Sequence, residues 1–225
     1  MKERTYSIDI ANAVKGFLTD DNWHFSFEEE RGIFKFGLGL KGKLKKIHYI
    51  VDIKEDEYLV YAICPLGADE DDARMMANMA EFVCRANYGL KTGNFELDFD
   101  DGEIRFKVHV SCHGITPTVD MIKRSIYCPA TMFDHYGSGI VDIIFNDASA
   151  KSAVDKCEKH SEDEIREILS ELLDSENDDS SDSGDMDAML ARLAARFGVT
   201  SNDGSDSSIP DSKNDTDDVN TDLFG

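Results

Sequence analysis

The apolar positions of this chain change period three times between residues 1 and 110. Near the N-terminus, Tyr6, Ile10, Ala11, Val14, Phe17 and Leu18 recur at helical spacing over residues 5–19, which predicts a helix with one buried stripe. Asp20-Asp21-Asn22 ends it, because short polar side chains compete for backbone hydrogen bonds. Alternation follows. Trp23, Phe25 and Phe27 alternate with His24, Ser26 and Glu28. Phe34, Phe36, Leu38 and Leu40 do the same after a turn at Glu30-Arg31-Gly32. Ile47, Tyr49, Val51 and Ile53 repeat the pattern after a basic turn at Lys41-Gly42-Lys43, and Leu59 to Cys64 is apolar on both faces. Four strands joined by short turns predict an antiparallel meander.

Pro65-Leu66-Gly67 closes the meander, and helical spacing returns. The acids from Asp69 to Asp72 suit a helix N-terminus. Met75, Met76, Met79, Phe82, Val83 and Ala86 form its stripe, and Gly89 suits the left-handed position just past its end. A hairpin follows. Phe95, Leu97 and Phe99 alternate with Asn94, Glu96 and Asp98, and Asp100-Asp101-Gly102 turns the chain. The return strand sets Ile104, Phe106, Val108 and Val110 against Glu103, Arg105, Lys107 and His109. The acids of the turn mimic a calcium loop, but the spacing is one residue short, His109 stands where the closing Glu belongs, and strands flank it. Thr116-Pro117 reads as a helix start. Helical spacing runs on toward Ala148, with Pro129 expected to kink it and Gly137-Ser138-Gly139 to weaken it. One bent helix or two in succession is expected. The fold class is α+β, in the order α-β-β-β-β-α-β-β-α, with the strands in one antiparallel sheet covered by helices.

After Lys159 the character changes. Residues 162–173 predict an acidic helix with Ile165, Ile168, Leu169 and Leu172 on one face. Residues 176–184 are rich in Ser, Asp and Asn, the composition of a disordered segment. Met186, Met189, Leu190, Leu193 and Phe197 then share one face of a short amphipathic helix over 186–197, and residues 201–220 are again polar and acidic. The expected organisation is a domain over 1–150, a helical extension over 151–174, and an acidic tail over 175–225.

Charge sharpens that division. Residues 1–160 carry 20 Lys and Arg against 27 Asp and Glu, whereas residues 161–225 carry 4 against 19, out of a net −22. Such a balance disfavours nucleic acid and anionic membranes as partners and favours a basic partner or simple solubility. No run of eighteen apolar residues exists to form a membrane span, and the N-terminus lacks the apolar core of a signal peptide. Five scattered cysteines suit a reducing compartment, so a cytoplasmic location is expected.

Asn87 stands at a helix end, Gly93-Asn94-Phe95-Glu96-Leu97-Asp98 enters the hairpin, and Gly102-Glu103-Ile104-Arg105-Phe106 leaves it. Thr116-Pro117 and Asp134-His135-Tyr136 follow. With these residues and this order of elements, residues 1–150 resemble the YbjN-type bacterial sensory-regulator family. The resemblance implies a type III secretion chaperone-like fold, a small α/β sandwich that often dimerises and holds extended or helical segments of partner proteins. It brings no catalytic residues. Pro129 and the Gly-Ser-Gly depart from the family pattern.

Candidate chemistry is sparse. His109, Cys112 and His113 form a cluster, but zinc wants three or four converging ligands, and the ordinary reading is a surface histidine pair. Cys128 lacks an evident base. Gly137-Ser138-Gly139 is not followed by Lys-Ser or Lys-Thr, so it is no phosphate loop. No catalytic residue, metal or cofactor is expected. Lys41, Lys43, Lys45 and Lys46 read either as a docking patch for an acidic segment or as a solvated turn. Met75 and Met79 read either as part of a binding groove or as core. Met186, Met189, Leu190, Leu193 and Phe197 read as a recognition helix for a partner or for the chain's own domain. The expected function is a non-enzymatic protein-interaction module, a chaperone, adaptor or regulator that binds partner protein segments and forms a homodimer by family analogy. The alternative is a small-molecule- or metal-sensing regulatory domain around His109, Cys112 and His113.

Overall fold

The computed structural model describes residues 5–160 together with Asp163 and Arg166. Helix α1 (Ile8–Asp20) is followed by strands β1 (Phe25–Glu28), β2 (Ile33–Gly39), β3 (Lys46–Ile53) and β4 (Glu57–Ile63). Helix α2 (Ala73–Asn87), strands β5 (Asn94–Leu97) and β6 (Ile104–Ser111), and helix α3 (Val119–Asn146) complete the expected order. A fourth helix, α4, is described over residues 150–160.

The six strands form one sheet in the order β1-β2-β3-β4-β6-β5, and every neighbouring pair is antiparallel. Alternation in the sequence becomes two chemically different faces. Phe34, Phe36, Ile47, Tyr49, Val51, Tyr58, Val60, Ala62, Phe106 and Val108 are buried beneath the helices. Residues of the opposite parity are half-buried or exposed, apart from Ile33 at the start of β2. α1 closes the core with Ile10, Ala11, Val14, Phe17 and Leu18, its first turn capped by Ser7, whose Oγ accepts from the Ile10 N–H. α2 starts on Asp72, whose Oδ1 accepts from the Arg74 and Met75 N–H groups. It ends just before Gly89, which takes φ +91° as the pattern predicted. α4 adds Ala150, Ala153, Val154 and Cys157 to the same core.

Three expectations need correction. The N-cap of α3 is Thr118, whose Oγ1 accepts from the Met121 N–H at 3.2 Å; Pro117 lies before the cap and is buried. Phe99 does not share the buried face of Phe95. β5 stops at Leu97, and Phe99 is 64% exposed in the hairpin loop. Carboxylates shape that loop: Asp98 Oδ1 accepts from the Asp100 N–H and Asp101 Oδ1 from the Glu103 N–H. Of the two forms expected for the last helix, the single one is found: it runs for 28 residues through Pro129. Met79 is 0% exposed, a core residue and not the wall of an open groove.

Candidate functional site

Among the described residues, the sheet buries one face under helices and leaves the other without a covering element. An antiparallel sheet with one solvated face is ordinarily polar on that face. Here its centre is apolar. Ile50 of β3 stands opposite Tyr61 of β4, and Leu59 and Ile63 flank Tyr61 on the same face by strand periodicity. All four are half-buried, and Ile33 extends the strip toward β2. The signal was present in the sequence, since Leu59 to Cys64 is apolar at every position but one polar-tipped tyrosine. Its meaning depended on which face the helices covered.

One end of this strip carries a charged frame. The Arg105 guanidinium lies 4.8 Å from the centre of the Tyr61 ring, a cation–π distance. Arg105 Nε also donates to Glu96 Oε2 at 2.8 Å, and Lys107 Nζ donates to Glu96 Oε1. Partial burial would raise the Glu96 carboxyl, but the hydrogen bonds from Lys107 and Arg105 outweigh it and hold it below its ordinary value. The strands β5 and β6 place these groups: Glu96 stands opposite Arg105 in the register.

The histidine cluster does not converge. His109 Nε2 meets Glu57 Oε2 at 2.8 Å, and His113 Nδ1 meets Asp56 Oδ2 at 3.0 Å. Cys112 is buried, and its thiol faces the Val110 carbonyl. Each ring therefore has its own carboxylate. Among the described residues no group of three or more His, Cys, Asp and Glu is arranged to hold a metal ion. Burial pushes the Cys64 thiol up to about 11 and raises Cys112, Cys128 and Cys157 above the ordinary thiol value, the opposite of what a nucleophilic thiolate needs.

The lysines of the β2–β3 turn are held in place by α3. Leu44 is buried against Gly137, where an added Cβ would come within 2.7 Å of its Cδ1. The Gly42 N–H donates to Asp134 Oδ1 at 3.2 Å. Lys43 Nζ donates to Asp142 Oδ1 at 2.9 Å, and Lys156 of α4 and Asn146 share the same carboxylate. The Asp142 side chain is 8% exposed. Burial would raise its carboxyl, yet the hydrogen bonds from Lys156, Lys43 and Asn146 hold it down at about 2. This node escaped the sequence reading because its lysines lie 99 and 14 residues from Asp142 along the chain. Lys41, Lys45 and Lys46 remain exposed.

Met75 is half-buried in the first turn of α2, where its sulfur accepts from the Asp69 N–H at 3.3 Å. The structure thus separates the two methionines by burial, although one stripe carries both. Met186, Met189, Leu190, Leu193 and Phe197 lie outside the described residues. Among the described residues no helix is long and apolar enough to cross a membrane.

No curated protein matches the chain. Residues 11–140, more than half of its length, match the family model YbjN, described as "Putative bacterial sensory transduction regulator", and the chain belongs to that family.

Proposed function

We propose that this protein is a non-enzymatic interaction module, a regulator or adaptor, that receives a segment of a partner protein on the uncovered face of its sheet. The observation that carries the reading is the strip formed by Ile50, Leu59, Tyr61 and Ile63, only half-buried at the centre of that face. Water in contact with this apolar surface is released when a partner covers it. Arg105, Lys107 and Glu96 beside the strip supply direction and selectivity more than affinity.

This reading puts the binding surface on the sheet face in preference to the sheet edge or the methionine-bearing helix. Both edge strands, β1 and β5, are only four residues long, which limits strand addition. Met79 is unavailable because it is buried. The face of β3 and β4 offers side chains without any opening of the core. The raised thiols and the carboxylate-paired histidines support a binding role over a catalytic one.

The test is a photo-crosslinking residue placed at Tyr61 in the full chain, in the cells that make it. Glu81, exposed on α2, is the control position. A partner protein captured from position 61, absent at position 81, and lost with Ile50→Lys at an unchanged melting temperature supports the reading. Equal adducts at both positions, or none at 61, overturns it.

A further inference from the structure

We propose that the acidic stretch 174–187 docks in cis on the lysine-bearing turn between β2 and β3. This goes beyond the partner-binding reading and does not depend on it, because it concerns a different surface.

The turn is a fixed platform. Leu44 is buried against α3, and the Gly42 N–H is held by Asp134. The Leu40 N–H donates to the Lys45 carbonyl at 2.8 Å, which closes the turn. Lys43 spends its charge on Asp142. Lys41, Lys45 and Lys46 project from this platform, exposed, and pair with no carboxylate among the described residues.

The chain leaves the described domain beside that platform. Lys43 of the turn and Lys156 of α4 bind the two oxygens of one carboxylate, that of Asp142. One residue further along α4, Cys157 lies against Ser138, 3.4 Å from its Oγ, and 3.9 Å from the Tyr136 carbonyl. As α4 advances, it therefore runs back along α3 toward Asp134, the residue that holds Gly42. Residues 161–173, predicted in large part as a helix, span about 20 Å, and the fourteen residues of 174–187 reach up to roughly 45 Å further, ample to return to the turn.

Residues 174–187 carry seven Asp and Glu and no Lys or Arg. Three ammonium groups without a carboxylate partner among the described residues would each make only weak contacts with such a run. Tethering raises the effective concentration to about the millimolar range, so contacts too weak to hold a separate peptide are populated within one chain. Their dependence on salt follows from the Debye length, about 10 Å at 0.1 M and about 3 Å at 1 M.

Zero-length carbodiimide coupling of the full chain tests this, with equal parts of isotopically light and heavy protein to separate links within a chain from links between chains. The expected result is isopeptide bonds from Lys41, Lys45 or Lys46 to carboxylates in 174–187, within one chain. They should exceed several-fold those from the exposed Lys15 and Lys91, and fall several-fold on going from about 20 mM to about 500 mM salt. The proposal is overturned if these lysines react no more than Lys15 and Lys91, if the links join two chains, or if their partners lie outside 174–187. A second variant, with the seven acids changed to Asn and Gln, should shift the backbone amide resonances of Gly42 and Lys45; unchanged resonances there overturn the proposal as well.

Discussion

The hydroxyl of Tyr49 donates to the carbonyl of Ile126 at 2.7 Å, from the middle of the sheet into the side of α3. Pro129, three residues on, has no N–H, so the ladder of α3 loses the donor that would meet the Ser125 carbonyl. Ile126 would ordinarily pair with Ala130, and the backbone of Ala130 faces the Tyr49 oxygen. A sheet side chain thus completes the helix where proline weakens it. One strand over, the Tyr58 hydroxyl lies 3.0 Å from Ser125 Oγ, which donates to the Ile122 carbonyl. Burial pushes the Tyr58 phenol up to about 12 and raises Tyr49 further. Both stay protonated donors.

Tyr49→Phe should therefore cost about 1–3 kcal/mol, because it strands a buried carbonyl without its donor. Chemical denaturation gives the value. In a Pro129→Ala background the turn can close so that the Ala130 N–H returns to the Ile126 carbonyl, and the loss should shrink by at least about 0.5 kcal/mol. Strict additivity of the two substitutions would contradict the coupling.

Asp142 predicts a pH dependence. Its folded value of about 2 lies below the ordinary carboxylate range, so its contribution is present above the unfolded value of about 4 and is lost as pH falls through about 2. A shift of that size corresponds to roughly 2–3 kcal/mol. Melting curves of the protein and of Asp142→Asn should differ most at neutral pH and converge in strong acid. A difference that stays constant down to about pH 2 would rule the ion node out as its source.

Gly102 and Gly89 make a paired test of backbone strain. Gly102 takes φ +70°, and a Cβ there would stand 1.9 Å from the Ala68 carbonyl oxygen, which belongs to backbone and cannot swing aside. Gly89 takes φ +91° with nothing within 4 Å. Gly89→Ala should cost about 1 kcal/mol from conformation alone, whereas Gly102→Ala adds a clash and should cost several kcal/mol. Thermal denaturation distinguishes them, and equal losses would mean that the hairpin loop does not seat on Ala68.

Glu96→Gln should lower stability by less than about 1 kcal/mol, since its partners lie on the solvent side of the sheet. The same change frees Arg105 and Lys107 from their shared carboxylate. Partner capture from position 61 should change in yield, while the melting temperature moves by only a few degrees. A loss of several kcal/mol would show that the frame supports the fold instead.

Much of the architecture was legible in the chain. Period-two runs such as Phe34, Phe36 and Leu38 can bury one face only as strands, and the stripe of α1 can bury its face only as a helix. These signals are local, so the order of elements and the acids at the start of α2 follow from neighbours in sequence. The hairpin residues from Asn94 to Phe106 also carried the family. Local signals misplaced the start of α3 by two residues, because Thr116 and Thr118 are equally good caps until Thr118 is seen to meet Met121.

What the sequence by itself determined was therefore the alternation, the element order and the uneven charge. Only the tertiary structure decided which face of β3 and β4 lies open, because periodicity separates two faces without saying which one the helices cover. Only it brought Tyr49 to Ile126, and Lys43 and Lys156 to Asp142. Hydrogen bonds and ion pairs act over a few ångströms in space, while these partners stand 77, 99 and 14 residues apart in the chain. Packing of the sheet against α3 and α4 supplied that proximity.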